Sequence, residues 1–172
     1  MSIGDELVDR VQRKMLYALW PKRRSSPARR AMLLTEEMHV ALTAYREDPA
    51  ERMRFGELRA DLEHFVTSAQ IDRKYLFHLY PMADAVWEIR SVREAPSIRV
   101  LGFIAAQDVF VAVTYALRED LGAWQSREWK TIKRRARAQW NALFQPYQPK
   151  FGTDPTQCVT GVIGGKFYKS RG

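Results

Sequence analysis

Hydrophobic and polar positions follow their most regular pattern between Asp84 and Phe144. Three runs in that stretch have the two-residue period of β-strands. In residues 85–92, Ala85, Trp87 and Ile89 share one face, and Val86, Glu88, Arg90 and Val92 share the other. In residues 98–104, Ile98, Val100 and Ile104 oppose Arg99, Leu101 and Phe103. In residues 109–116, Val109, Val111, Val113 and Tyr115 oppose Phe110 and Thr114. The connectors SVREAPS and AAQD have hairpin length, so the runs should pair as an antiparallel meander. Both faces are rich in apolar residues, which demands cover on each side. Beyond Ser126, a candidate N-cap, the period becomes helical: Trp129, Ile132, Ala136, Trp140 and Leu143 recur at three and four.

The preceding residues read as helices around one short strand. Leu7, Val8, Val11, Met15, Ala18 and Leu19 have helical spacing within 5–20, which predicts a surface helix in need of a partner. PKRRSSPARR, residues 21–30, reads as a linker or a basic arm that reaches a phosphate backbone. Ala31 to Leu34 is a short strand, and Thr35 with Glu36 and Glu37 opens a helix whose stripe is Met38, Ala41, Leu42 and Tyr45. Asp48-Pro49 starts a second helix carrying Met53, Leu58, Leu62, Phe65 and Val66. Residues 68–83 are ambiguous; Leu76 and Leu79 anchor them and Pro81 ends them. In the tail, Cys158–Ile163 is either strand-like or part of a flexible basic end. The expected fold is α+β: a small antiparallel β-sheet, a helical hairpin before it, and a C-terminal amphipathic helix packed on it. Residues 1–30 would be an N-terminal helix and basic linker, 31–144 the main domain, and 145–172 a basic tail containing proline and glycine.

Composition narrows the function. The chain of 172 residues is 46% hydrophobic and 28% charged, the balance of a soluble globular domain. No apolar run reaches the roughly 18 to 20 residues that span a bilayer, and acids precede any apolar run at the N-terminus, unlike a secretory signal. One cysteine, Cys158, excludes an internal disulfide and points to a reducing cytoplasm. No Cys/His cluster has metal-ligand spacing, so neither metal nor cofactor is expected. Gly164-Gly165-Lys166 lacks the rest of a phosphate-loop pattern. Net charge is +8, which attracts polyanions and above all nucleic acid.

The charge is clustered. Residues 127–137 hold six basic residues and one acid. Arg127, Lys130, Arg134 and Arg137 gather beside the apolar stripe of the last helix, with Lys133 between the two faces. A solvated face usually mixes signs, because opposite charges four apart stabilise it; this one repels itself and calls for an anionic partner, either an RNA or DNA phosphate backbone or an acidic protein segment. Arg90 and Arg99 interrupt apolar faces of adjacent strands, which costs free energy unless they pair or serve a purpose. They are either an ion pair with Glu88 or functional positions. His78 is either a packed imidazole or a proton-transfer group.

The residues VWEIR (86–90), IRVLGF (98–103) and DVFVAVTYALRE (108–119) resemble the RelE/HigB toxin superfamily, its phage-derived Gp49-like branch above all. The likeness spans residues 31–144 by element order and is sharpest over 86–119. It implies a type II toxin that cuts mRNA on the ribosome without metal and is neutralised by an antitoxin, a small helix-turn-helix protein. By this resemblance Arg90, Arg99, Arg118 and Tyr115 would be the catalytic candidates: Arg90 falls on the arginine of the branch's first strand motif, and Arg99 and Arg118 would be the phosphate clamps. Arg127, Lys130, Lys133, Arg134 and Arg137 would be the nucleic-acid contacts. This chain has Leu117-Arg118 where the branch often has paired lysines, and Glu119 and Asp120 follow. An inactive nucleic-acid-binding protein of a phage or mobile element is therefore the alternative, and a gyrase-directed toxin a third.

Overall fold

The computed structural model describes residues 1–72, 74–91, 97–151 and 155–163. Helix α1 (Ile3–Gln12) opens on a capping box in which Ser2 and Asp5 satisfy each other's backbone donors. Strands β1 (Leu16–Ala18) and β2 (Ala31–Thr35) come next, then helices α2 (Glu36–Thr43) and α3 (Pro49–Thr67). Strands β3 (Ile71–Asp72), β4 (Leu76–His78), β5 (Trp87–Arg90), β6 (Ile98–Ala106) and β7 (Val109–Leu117) lead to helix α4 (Arg127–Phe144), and β8 (Val162–Ile163) closes the described chain.

Six strands form one sheet in the order β1-β2-β7-β6-β5-β4. All neighbours are antiparallel except β2 and β7, which run parallel with Ala31 opposite Val109. The strands β5, β6 and β7 pair as the antiparallel meander that their short connectors predict, and helices cover both faces. On one side α2 and α3 bring Met38, Phe55, Leu58, Leu62 and Phe65 against Met32, Ile89, Val100, Ile104 and Phe110. On the other, Leu7 of α1 and Trp129, Ala136, Trp140 and Phe144 of α4 pack on Leu101, Phe103, Val111 and Val113.

Several expectations are corrected. The helix predicted over 5–20 ends at Gln12. Lys14 takes a left-handed φ of 58°, and Leu16–Ala18 instead becomes the edge strand beside β2. Arg30 is not part of a solvated linker. It is buried, donates to the carbonyls of Phe65, Ser68 and Thr160, and lies 3.6 Å from Asp108. Tyr45 and Met53, expected in buried stripes, are exposed. At the end of α4, Phe144 rather than Leu143 takes the buried place.

A register shift between β6 and β7 reverses one side of the alternation. Leu101 faces Thr114, but Gly102 faces Ala112, so Val113 is an extra residue on β7. Such a bulge turns the next residues of the strand to the opposite face. Tyr115 therefore leaves the face of Val111 and Val113 and packs edge-on against Phe55 of α3, ring centroids 5.7 Å apart. In the tail, Val162–Ile163 pairs parallel with Ile71–Asp72, and the Gly164-Gly165-Lys166 stretch lies outside the described residues, as do Val92 to Pro96 of the first connector.

Candidate nucleic-acid interface

Helix α4 is set in place by its own sequence. The Ser126 hydroxyl accepts from the Trp129 N–H at 3.2 Å and donates to the Leu121 carbonyl, so the first turn is capped and tied to the preceding bend. Burial of Trp129, Ile132, Ala136, Trp140 and Phe144 then fixes the rotation of the helix. Arg127, Lys130 and Arg134 are left exposed and Arg137 half-buried. Both flanks are latched. Arg135 and Gln139 each donate to Glu37 Oε2 at 2.8 Å, while Glu37 Oε1 accepts from the Thr114 hydroxyl at 2.7 Å.

On the opposite flank Lys133 is buried, not poised between faces. Its Nζ donates to the Tyr80 carbonyl at 2.6 Å, approaches Gln125 Oε1 at 3.5 Å, and sits 5.6 Å from the Trp124 ring centroid. Burial pulls its pKa below the ordinary lysine value; Asp84 pushes it back up and Lys130 lowers it further. Arg137 is held as well, donating to the Asp84 carbonyl at 3.3 Å and to Gln148 Oε1 at 2.5 Å. Between α4 and the loop from β4 to β5 runs a groove of about 450 Å³ that these cations line together with Lys130 and Arg134. Arg127 stands apart from it, beside Asp120, Glu128 and Arg135.

The strand arginines form a second cluster. Arg90 and Arg99 are directly opposite across β5 and β6. They point to the α4 face, because Glu88 shares a face with Arg90 and lies opposite Leu101 of that core. The Nε atoms of both arginines reach Glu88 Oε1 at 2.9 Å. Glu88 is 1% exposed, whereas Arg90 and Arg99 retain 24% and 15%. The Arg90 guanidinium also lies over the Phe77 ring, 3.6 Å from its centroid. Burial pulls the Arg99 pKa down, Glu88 opposes this, and the charges of Arg90 and Arg118 act in the same direction as burial. Arg118 is therefore close enough to be felt, although its own guanidinium is turned to the Gly122 carbonyl at 2.9 Å.

No family model, curated protein or solved structure matches the chain.

The structure brings the sequence candidates into two groups and sets others aside. Arg90, Arg99 and Arg118 stand at one end of the sheet; Lys130, Lys133, Arg134 and Arg137 share the groove. Tyr115 is on the far face of the sheet from the strand arginines. His78 is buried and stacked on Trp87 with ring centroids 4.3 Å apart, and burial pushes its pKa from 6.5 down to about 4. It is a neutral packing group. The groove's other wall, Tyr80 and Asp84 with Gln125 beside them, went unnoticed in the sequence: nothing local marks the loop of Tyr80 and Asp84, 53 residues before their partners Lys133 and Arg137, as a neighbour of α4, and Gln125 joins them only from the bend just before the helix. Among the described residues, no three of His, Cys, Asp or Glu group to hold a metal, and no helix is long and apolar enough to cross a membrane. Chemically, the two groups offer cationic hydrogen-bond donors held in fixed directions, the equipment for binding phosphate oxygens.

Proposed function

We propose that the protein binds the phosphate backbone of nucleic acid along the basic flank of α4. One observation carries this: Lys130, Lys133, Arg134 and Arg137 line a single groove in which, among the described residues, Asp84 is the one carboxylate. Like charges three and four residues apart on a helix each cost a few tenths of a kcal/mol. A helix that keeps several of them, with its other flank properly ion-paired through Glu37, has a use for an anion. Fluorescence anisotropy with single-stranded RNA at about 50 and 200 mM salt tests the reading, because phosphate contacts release counterions and weaken steeply with salt. Wild-type binding should fall at least about tenfold across that range, and Lys130→Gln/Arg134→Gln should bind more weakly at low salt. Salt-insensitive binding, or an unaffected double variant, rejects it.

A second reading, a ribosome-dependent mRNA endonuclease of the RelE/HigB kind restrained by an antitoxin, is favoured by the convergence of Arg90, Arg99 and Arg118. Arginines so placed could stabilise charge developing on a scissile phosphate. Two observations weigh against it: Glu88 already takes the Nε donor of both strand arginines, and His78 is buried at 3% exposure, out of reach of a bound strand. Expression in a bacterial host would arrest growth and leave cut mRNA, relieved by Arg118→Ala. Normal growth with intact mRNA excludes this activity and leaves the binding reading standing.

A further inference from the structure

The groove beside α4 is better furnished than backbone binding alone requires. Its floor is a buried ammonium. Lys133 Nζ is held by the Tyr80 carbonyl and Gln125 beneath the exposed Lys130 and Arg134, and Arg137 is braced by Asp84 and Gln148. Lys130 and Arg134 are one helical turn apart, so their Cβ atoms are separated by about 6 Å. Among the described residues the four cations face one carboxylate, Asp84, an excess of three positive charges in about 450 Å³. That volume lies in the lower part of the range for small-ligand sites, roughly 300 to 1,000 Å³, and suits one phosphorylated nucleotide rather than a tract of helix. An internal phosphodiester brings one negative charge, whereas a phosphate monoester brings about 1.5 to 2 at neutral pH, with three strong acceptor oxygens. The excess of three is closer to the monoester's charge than to the single charge of a diester.

We propose that this groove is a seat for a phosphate monoester, the phosphorylated end of a single strand or a free mononucleotide, gripped by Lys130, Arg134 and Arg137 over Lys133. This rests on the nucleic-acid reading above and sharpens it to one end of the strand. The test compares full-length protein binding a 5′-phosphorylated decauridylate, the same decamer with a 5′-hydroxyl, and uridine 5′-monophosphate. The expected result is at least about tenfold tighter binding of the phosphorylated decamer, a preference reflecting one or two charge-assisted contacts. Arg137→Gln should bring the ratio of the two decamer affinities to within about twofold, whatever it does to each affinity singly. Lys133→Met, of similar length and without the charge, should do the same with a cooperative thermal melt. Uridine 5′-monophosphate matching the phosphorylated decamer would assign the seat to free nucleotides. Equal binding of the two decamers by the wild type, still salt-sensitive, overturns the seat and spares the backbone reading; no binding of either decamer overturns both.

Discussion

Single residues carry two of the most exposed consequences of this structure. Glu88 stands between Arg90 and Arg99 with both Nε donors on one oxygen. Its removal leaves two guanidinium groups side by side in a partly buried place. Breaking a buried ion pair costs about 3 to 5 kcal/mol, and the residual exposure of the arginines brings the expected cost to or just below the bottom of that range, about 2 to 3 kcal/mol for Glu88→Gln. Urea denaturation should show the midpoint falling at unchanged slope; an unshifted midpoint would mean that the arginines relax into solvent. His78 gives a pH signature. Its folded pKa near 4 lies below the unfolded 6.5, so the unfolded chain binds the extra proton between those values. This contribution to stability is therefore complete above pH 6.5 and is lost as pH falls towards 4, by about 3 kcal/mol. His78→Phe should flatten that slope between pH 6.5 and 4 in denaturation curves, since a ring of similar shape keeps the stack on Trp87 without titrating.

At the scale of elements, the β6–β7 pair sets where side chains point. Gly102 lies beside the bulge, and a Cβ there would come within 2.3 Å of the Val111 carbonyl oxygen and 2.4 Å of the Phe110 ring. Neither a buried strand backbone nor a fully buried ring yields easily. Gly102→Ala should destabilise by about 3 kcal/mol, at the upper end of overpacking penalties; thermal unfolding would show it, and a wild-type melting temperature would contradict the packing described. The same bulge marks the limit of what the sequence reveals. Caps at Thr35, Asp48 and Ser126, the three meander strands and the buried face of α4 were legible because each depends on neighbours within a few residues. Tyr115 was misplaced because strict alternation cannot register one inserted residue. Strand β1 was hidden within a helical pattern because Leu16–Ala18 is a strand only by virtue of β2, whose own partner β7 is more than seventy residues away. Arg30 looked like part of a solvated basic run, since Phe65, Ser68 and Thr160 supply its acceptors from distant segments. Of the candidate site, the basic positions on α4 were legible and the wall opposite them was not.

For the whole molecule, the question is whether its net charge of +8 acts as a diffuse field or through one surface. A diffuse field accelerates encounter with any polyanion and responds to the total alone. A local interface responds to which charges are removed. The three-layered fold separates these possibilities, because α3 covers one face of the sheet and α4 the other. Neutralising Lys130, Arg134 and Arg137 takes three positive charges from the α4 side; neutralising Arg52, Arg54 and Arg59 takes the same number from α3. For single strands the slope of log affinity against log salt changes by about 0.7 for each phosphate contact. The α4 triple variant should therefore lose about 2 from that slope, and the α3 triple variant close to none. Folding must be matched by melting curves first, since Arg59 pairs with Glu63 and Arg54 with Glu51. Equal slopes for the two folded variants would mean that the basic flank of α4 is no more than a share of a general field, and the proposed interface would fall with it.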